Sequence, residues 1–113
     1  GAGSIAADAA DVARWGYLLY GGQVIDSTLV TQMQADPQDS DMGLYGLGTF
    51  VMSEDLVLMV GHGGGGPEVP YTTMLFVWTG DPPVAVAVLS PEPADFGSGI
   101  YGIFMGLHRI AAS

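Results

Sequence analysis

The sequence has no lysine, no cysteine and no asparagine, and Arg14 and Arg109 are its only strongly basic side chains. Without lysine there is no Walker-type phosphate loop, no Schiff base and no Ser-x-x-Lys nucleophile. Two arginines against twelve acidic residues, a formal charge of −10, cannot neutralise a phosphate backbone, which excludes nucleic acid as a partner. Lacking cysteine, the chain makes no disulfide, thiol nucleophile or Cys-ligated zinc site, and its redox compartment stays open. Long apolar runs are missing too. Gly, Pro or polar residues interrupt each one well before the ~20 residues a membrane helix needs, so no membrane span is expected.

What is present is a chain of 113 residues, 49% hydrophobic and only 12% charged. That balance argues for one small folded domain with a modest core rather than for disorder. The N-terminus, Gly1-Ala2-Gly3-Ser4, lacks the basic and apolar regions of a signal peptide, and the compartment is left open.

Three stretches differ in character: a helical segment over 1–43, a sheet over 44–90 and a C-terminal helix over 94–112. Asp8 caps a helix at about 9–20 whose apolar residues recur at helical spacing, and Gly21-Gly22 stops it. Asp26-Ser27 starts a second short helix that ends before Pro37. Asp36 to Gly43 reads as a solvated loop. Strands are expected at 45–53, 55–61, 71–79 and 84–90, the last two joined as an antiparallel hairpin through Thr79-Gly80-Asp81-Pro82-Pro83. Met74 to Trp78 and Val84 to Leu89 are continuously apolar, which predicts central strands covered on both faces. Asp95 reads as the cap of the final helix. Its glycines, Gly97, Gly99, Gly102 and Gly106, suggest close approach to the sheet.

Val60-Gly61-His62-Gly63-Gly64-Gly65-Gly66-Pro67 is the stretch packing explains least. Consecutive glycines occur where backbone approaches another molecule or takes unusual φ/ψ, and equally in a flexible hairpin loop; both readings stay open. His62 closes an apolar strand and is either a structural hydrogen-bonder or a catalyst. His108, beside Arg109, reads as surface or as a partner of the helix dipole. Their spacing gives no metal-site signal, and no cofactor is expected.

The order of motifs resembles a family. Ala2-Gly3-Ser4-Ile5, then Asp8 to Trp15, then Tyr45-Gly46-Leu47-Gly48, then Gly61-His62-Gly63-Gly64, then a strand hairpin and a last helix are similar to the C-terminal part of the bacterial serine β-lactamase-like hydrolases. These include class C β-lactamases, penicillin-binding D-Ala-D-Ala carboxypeptidases and β-lactamase-like esterases. The resemblance covers essentially the whole chain. It implies an α+β fold, an antiparallel sheet of about three to four strands with helices packed on it, forming the C-terminal portion of an α/β/α sandwich. It also implies that His62-Gly63-Gly64 stands at the family's Lys-Thr-Gly or His-x-Gly motif. His62 then supplies a proton donor or partial positive charge, Gly63 and Gly64 line the substrate, and the Gly65 N–H joins an oxyanion hole.

Departures from the family narrow the expectation. Gly63 replaces a hydroxyl residue that helps hold a substrate carboxylate, which favours an ester or amide substrate over a β-lactam. Glu68-Val69 stand where relatives often carry a Gly-aromatic pair. Ser-x-x-Lys and Tyr-x-Asn are both missing. The chain alone is therefore expected to be inactive, one wall of a site whose nucleophile comes from elsewhere. In such a fold the last strand pairs with one from the N-terminal part, so strand 84–90 is expected to bind that part of the same hydrolase or a second copy of the chain. The alternative reading is a non-catalytic binding or assembly module acting through that edge.

Overall fold

The computed structural model describes residues 5–66, 68–93 and 99–113. Helix α1 (Ala9–Tyr20) begins where the Asp8 carboxylate accepts from the Asp11 N–H at 2.8 Å, and the chain leaves it through Gly22 at φ 72°. Helix α2 (Ser27–Gln34) starts on the Asp26 carboxylate, which accepts from the Thr28 N–H. Both caps satisfy N–H groups that the first helical turn leaves unpaired.

Six strands follow among the described residues: β1 (Gln38–Ser40), β2 (Gly43–Tyr45), β3 (Phe50–Glu54), β4 (Val57–Gly64), β5 (Thr72–Trp78) and β6 (Val84–Ser90). They form one antiparallel sheet in chain order, each strand pairing with the next. Helix α3 (Gly99–Ala111) closes the chain. The architecture is α+β, with two more strands than the upper expectation.

The sheet is covered on both faces at its β5–β6 side. On one face Gly16 of α1 lies against Leu75, where a Cβ would come within 2.6 Å of the Leu75 Cδ1; a bare backbone lets the helix settle there. Strand alternation puts Val77 on that face as well. The opposite face carries α3. Phe104 is fully buried, stacks on Trp78 with ring centroids 5.1 Å apart and meets Phe76 edge-on at 5.7 Å, while Met59, Met74, Val86 and Met105 complete the cluster. Burying one such aromatic side chain stabilises the fold by about 2–3 kcal/mol.

Several expectations change. Asp36 to Gly43 is not only loop, because Gln38–Ser40 pairs with Gly43–Tyr45 as a hairpin. The strand expected at 45–53 is two strands joined through Gly46 to Thr49. Val84 to Leu89 is covered on both faces but lies at the sheet's edge rather than in its centre. The α3 glycines do not approach the sheet: a Cβ at Gly99, Gly102 or Gly106 meets nothing within 4 Å. His108 is half-buried and lies flat on Trp78, centroids 3.8 Å apart at 6°, rather than decorating the surface. The Asp95 cap, Gly97 and Pro67 lie outside the described residues. No described helix is long and apolar enough to cross a membrane.

Candidate functional site: an open strand end at His62

β3 pairs with β4 only as far as Phe50 opposite Gly61, whereas β4 continues along β5 through Gly64 opposite Thr73. His62, Gly63 and Gly64 thus extend past the end of β3. The hydrogen-bonding parity of this overrun follows from its neighbours. The Thr79 N–H donates to the Leu58 carbonyl, so even-numbered residues of β4 bond toward β5. Thr49, the residue just before β3, donates its hydroxyl to the Gly61 carbonyl at 3.2 Å, so odd-numbered residues face the β3 side. Alternation then turns the backbone of Gly63 toward the open edge.

Tyr45, at the end of β2, reaches across this edge. Its hydroxyl lies 2.8 Å from His62 Nε2, and the rings of Tyr45, Phe50 and His62 form a triangle with centroids 4.7 to 5.6 Å apart. His62 Nδ1 contacts the Gly63 carbonyl. A carbonyl only accepts, so Nδ1 carries a proton. In the neutral ring Nε2 accepts from the Tyr45 O–H; in the imidazolium Nε2–H donates to the Tyr45 oxygen. The pair accommodates both charge states with no partner lost, and the imidazole itself stays exposed.

A second layer supports the strand from below. Thr49 is fully buried, and its Oγ1 lies 2.7 Å from the Tyr20 hydroxyl while contacting the Gly61 and Phe50 carbonyls. Burial pushes the Tyr20 phenol above its ordinary value of 10.0, partly offset by the Thr49 hydrogen bond and reinforced by Tyr45 nearby. Gly61 is required by contact: a Cβ there would stand 2.1 Å from the Leu75 carbonyl oxygen. Gly65 follows the strand at φ 143°, a conformation that side chains rarely adopt. Gly64 and Gly65 also line one wall of an open cleft of about 990 Å³ bounded by Ile5, Val12, Tyr71 and Leu89.

The glycine run is thus divided between roles. Gly61 serves packing, Gly63 and Gly64 are strand, Gly65 takes a positive φ, and a Cβ at Gly66 would meet nothing. His62, Gly63, Gly64 and Gly65 stand together at the strand end. Tyr45 and Thr49 are the partners sequence reasoning missed. Tyr45 lay in a matched motif, but nothing in its spacing gave its contact with a histidine seventeen positions later. Among the described residues no three His, Asp or Glu side chains gather to hold a metal ion. No protein-family model, curated protein or solved structure matches this chain.

Proposed function

We propose that this chain is the C-terminal wall of a serine β-lactamase-like acyl hydrolase. The observation that carries the reading is the overrun of β4: an exposed histidine, an outward-facing Gly63 backbone and a positive-φ Gly65 share one strand end that is paired to β5 but uncovered on its β3 side. In the proposed reaction a serine of the completing region gives its hydroxyl proton to that region's lysine as its oxygen attacks an ester or amide carbonyl, and the proton returns to His62 through solvent at the end of the cycle. The resulting oxyanion accepts a hydrogen bond from the Gly65 N–H, the leaving group departs with a proton, and water then hydrolyses the acyl-serine. His62 supplies positive charge or a proton at the strand edge. Its Nε2 faces the Tyr45 oxygen, so a proton leaving Nε2 passes to Tyr45, whose own hydroxyl proton goes on to the leaving group. Gly64 and Gly65 give the acyl chain a bare wall in the adjoining cleft.

No lysine and no asparagine occur in the chain, so the Ser-x-x-Lys and Tyr-x-Asn elements must belong to another segment. The reading frame upstream of Gly1, or a co-purifying polypeptide, is expected to carry both in that order; their absence from both sources overturns the proposal. The 113-residue chain alone is expected to hydrolyse neither p-nitrophenyl esters nor a chromogenic cephalosporin above buffer. Turnover by the isolated chain that vanishes in His62→Ala would overturn its role as an incomplete wall. In the completed enzyme, Tyr45→Phe should lower kcat more than it raises KM. In the isolated chain, imidazole ¹⁵N spectra should show Nδ1–H for neutral His62, and Tyr45→Phe should leave that tautomer in place because the Gly63 carbonyl holds the proton.

A further inference from the structure

β6 pairs with β5 on one side and, among the described residues, with nothing on the other. Its open side has a fixed parity. Since even-numbered residues of β4 bond β5, the odd-numbered residues of β5 bond β4 and its even-numbered ones bond β6. The register of Met74 with Val88 and Phe76 with Val86 then commits the even-numbered β6 residues to β5. The N–H and C=O groups of Ala85, Ala87 and Leu89 point outward.

An edge of this kind normally carries a charge, a proline or a bulge that discourages pairing. Val84–Ser90 has no charged residue and no proline. Pro83 and Pro91 stand just outside it, each four positions from Ala87. That symmetry matters. In an antiparallel self-pairing centred on Ala87, Ala87 meets its own copy, Ala85 meets Leu89 and Pro83 meets Pro91. Every outward donor and acceptor between the prolines finds a partner, about six backbone hydrogen bonds, and the ladder stops where neither proline has an N–H to give. The small Ala85 faces the larger Leu89 on one side of the sheet, and Val86 faces Val88 on the other.

The flank above this edge is apolar as well. Met105 and His108 lie on the side of α3 over β5, where His108 covers Trp78. Ile103, Leu107 and Ile110 share the opposite side by their helical spacing and are 59%, 42% and 74% exposed. A two-fold axis normal to the sheet at Ala87 brings the α3 of each copy to one face, with these exposed stripes beside the axis, and the α1 of each copy, which also packs on β6, to the other. The symmetric placement of Pro83 and Pro91 about Ala87 favours a second copy as the occupant, and the charge within the edge permits it. None of the twelve acidic residues lies in β6 or α3. Two chains of charge −10 thus bring no carboxylate into the ladder itself, although Asp81 and Glu92 stand just beyond the prolines at its ends and α1, which also packs on β6, carries Asp11.

We infer that β6 pairs antiparallel, in register on Ala87, with β6 of a second copy, giving a symmetric dimer whose sheet runs through both chains and whose α3 helices pack across the axis. The inference concerns the chain on its own: in the proposed hydrolase a strand of the completing region would take this same edge, so the two occupants of β6 exclude one another, and Leu89 stands in both the ladder and the cleft beside Gly64 and Gly65.

The test combines sedimentation over a concentration series with amide exchange on the full chain. The expected result is a reversible monomer–dimer equilibrium, with the Ala85, Ala87 and Leu89 amides exchanging at least tenfold more slowly in the dimer than in dilute monomer. Ala87→Pro removes the central donor without touching the β5 ladder and should shift the midpoint to at least tenfold higher concentration. The pair Ile103→Glu and Ile110→Glu, both at exposed positions, should do the same and keeps the test decisive if the proline variant fails to fold. A chain that stays monomeric at millimolar concentration overturns the inference. So does a dimer in which these three amides remain fast, since it forms through another face. Protection of the three amides that does not vary with concentration, or that arises only with a different polypeptide, assigns the edge to another occupant and also overturns it.

Discussion

Tyr20, Thr49 and Gly61 show how a few polar atoms hold the strand end in place. The Tyr20 hydroxyl and Thr49 Oγ1 satisfy one another in the interior, and Thr49 also ties β3 to the Gly61 carbonyl one residue before His62. Burial raises the Tyr20 pKa above that of a free phenol, so the folded state resists its ionisation. The stabilisation is complete below the unfolded value of about 10 and is lost as pH rises from there through the raised folded value. Tyr20→Phe is accordingly expected to destabilise the protein at neutral pH, by about 1 kcal/mol or more, since Thr49 loses a buried partner. It should also flatten the decline in stability above pH 10. Urea unfolding of both proteins from pH 8 to 11 checks both effects. None of this was legible in the sequence, where Tyr20 and Thr49 stand 29 positions apart and match no motif.

At the scale of elements, what could be read was what repeats or punctuates locally. Asp8 and Asp26 marked both early helices, and the Gly-Asp-Pro-Pro turn marked the β5–β6 hairpin with its ends at or within a residue of the observed ones. What could not be read depended on pairing. β1 is Gln-Asp-Ser, exposed throughout, and is a strand only because β2 lies beside it. The strands expected at 45–53 and 55–61 put the β3–β4 connection at residue 54, and it lies at Asp55 and Leu56 instead. Asp55 and Leu56 both take positive φ, 48° and 69°, which suits a tight hairpin turn, but Leu56 stands where glycine is usual and its side chain is fully exposed. Leu56→Gly should therefore raise stability by about 0.5–1 kcal/mol, the relief of a left-handed side chain less the added freedom of the unfolded glycine. The α3 glycines run the opposite way. Gly102→Ala, at a position where a Cβ meets nothing, should gain about 0.5–1 kcal/mol in helix propensity. Denaturant midpoints of the two variants and the double variant test both values and their additivity. The candidate site shows the same division: the residues from His62 to Gly65 stood out by composition, but the overrun that exposes them comes from where β3 stops.

For the whole molecule, the distribution of charge matters more than its sum. All twelve carboxylates lie outside β6 and α3, so the rest of the surface repels a second copy. Association through β6 is then an apolar and hydrogen-bonded contact working against a long-range repulsion. The dimer should tighten as salt rises from about 0.01 to 0.15 M, where the screening length falls from about 30 to 8 Å. Sedimentation at the two salt concentrations measures it; an interface held by arginine–carboxylate pairs would weaken instead. Only two tryptophans occur in the chain, and they occupy opposite situations. Trp15 on α1 is half exposed, whereas Trp78 is 2% exposed beneath Phe104 and His108 of α3. The stack that anchors α3 thereby acts as a built-in optical gauge, because separation of the helix from the sheet takes the imidazole off one indole while leaving the other's surroundings unchanged.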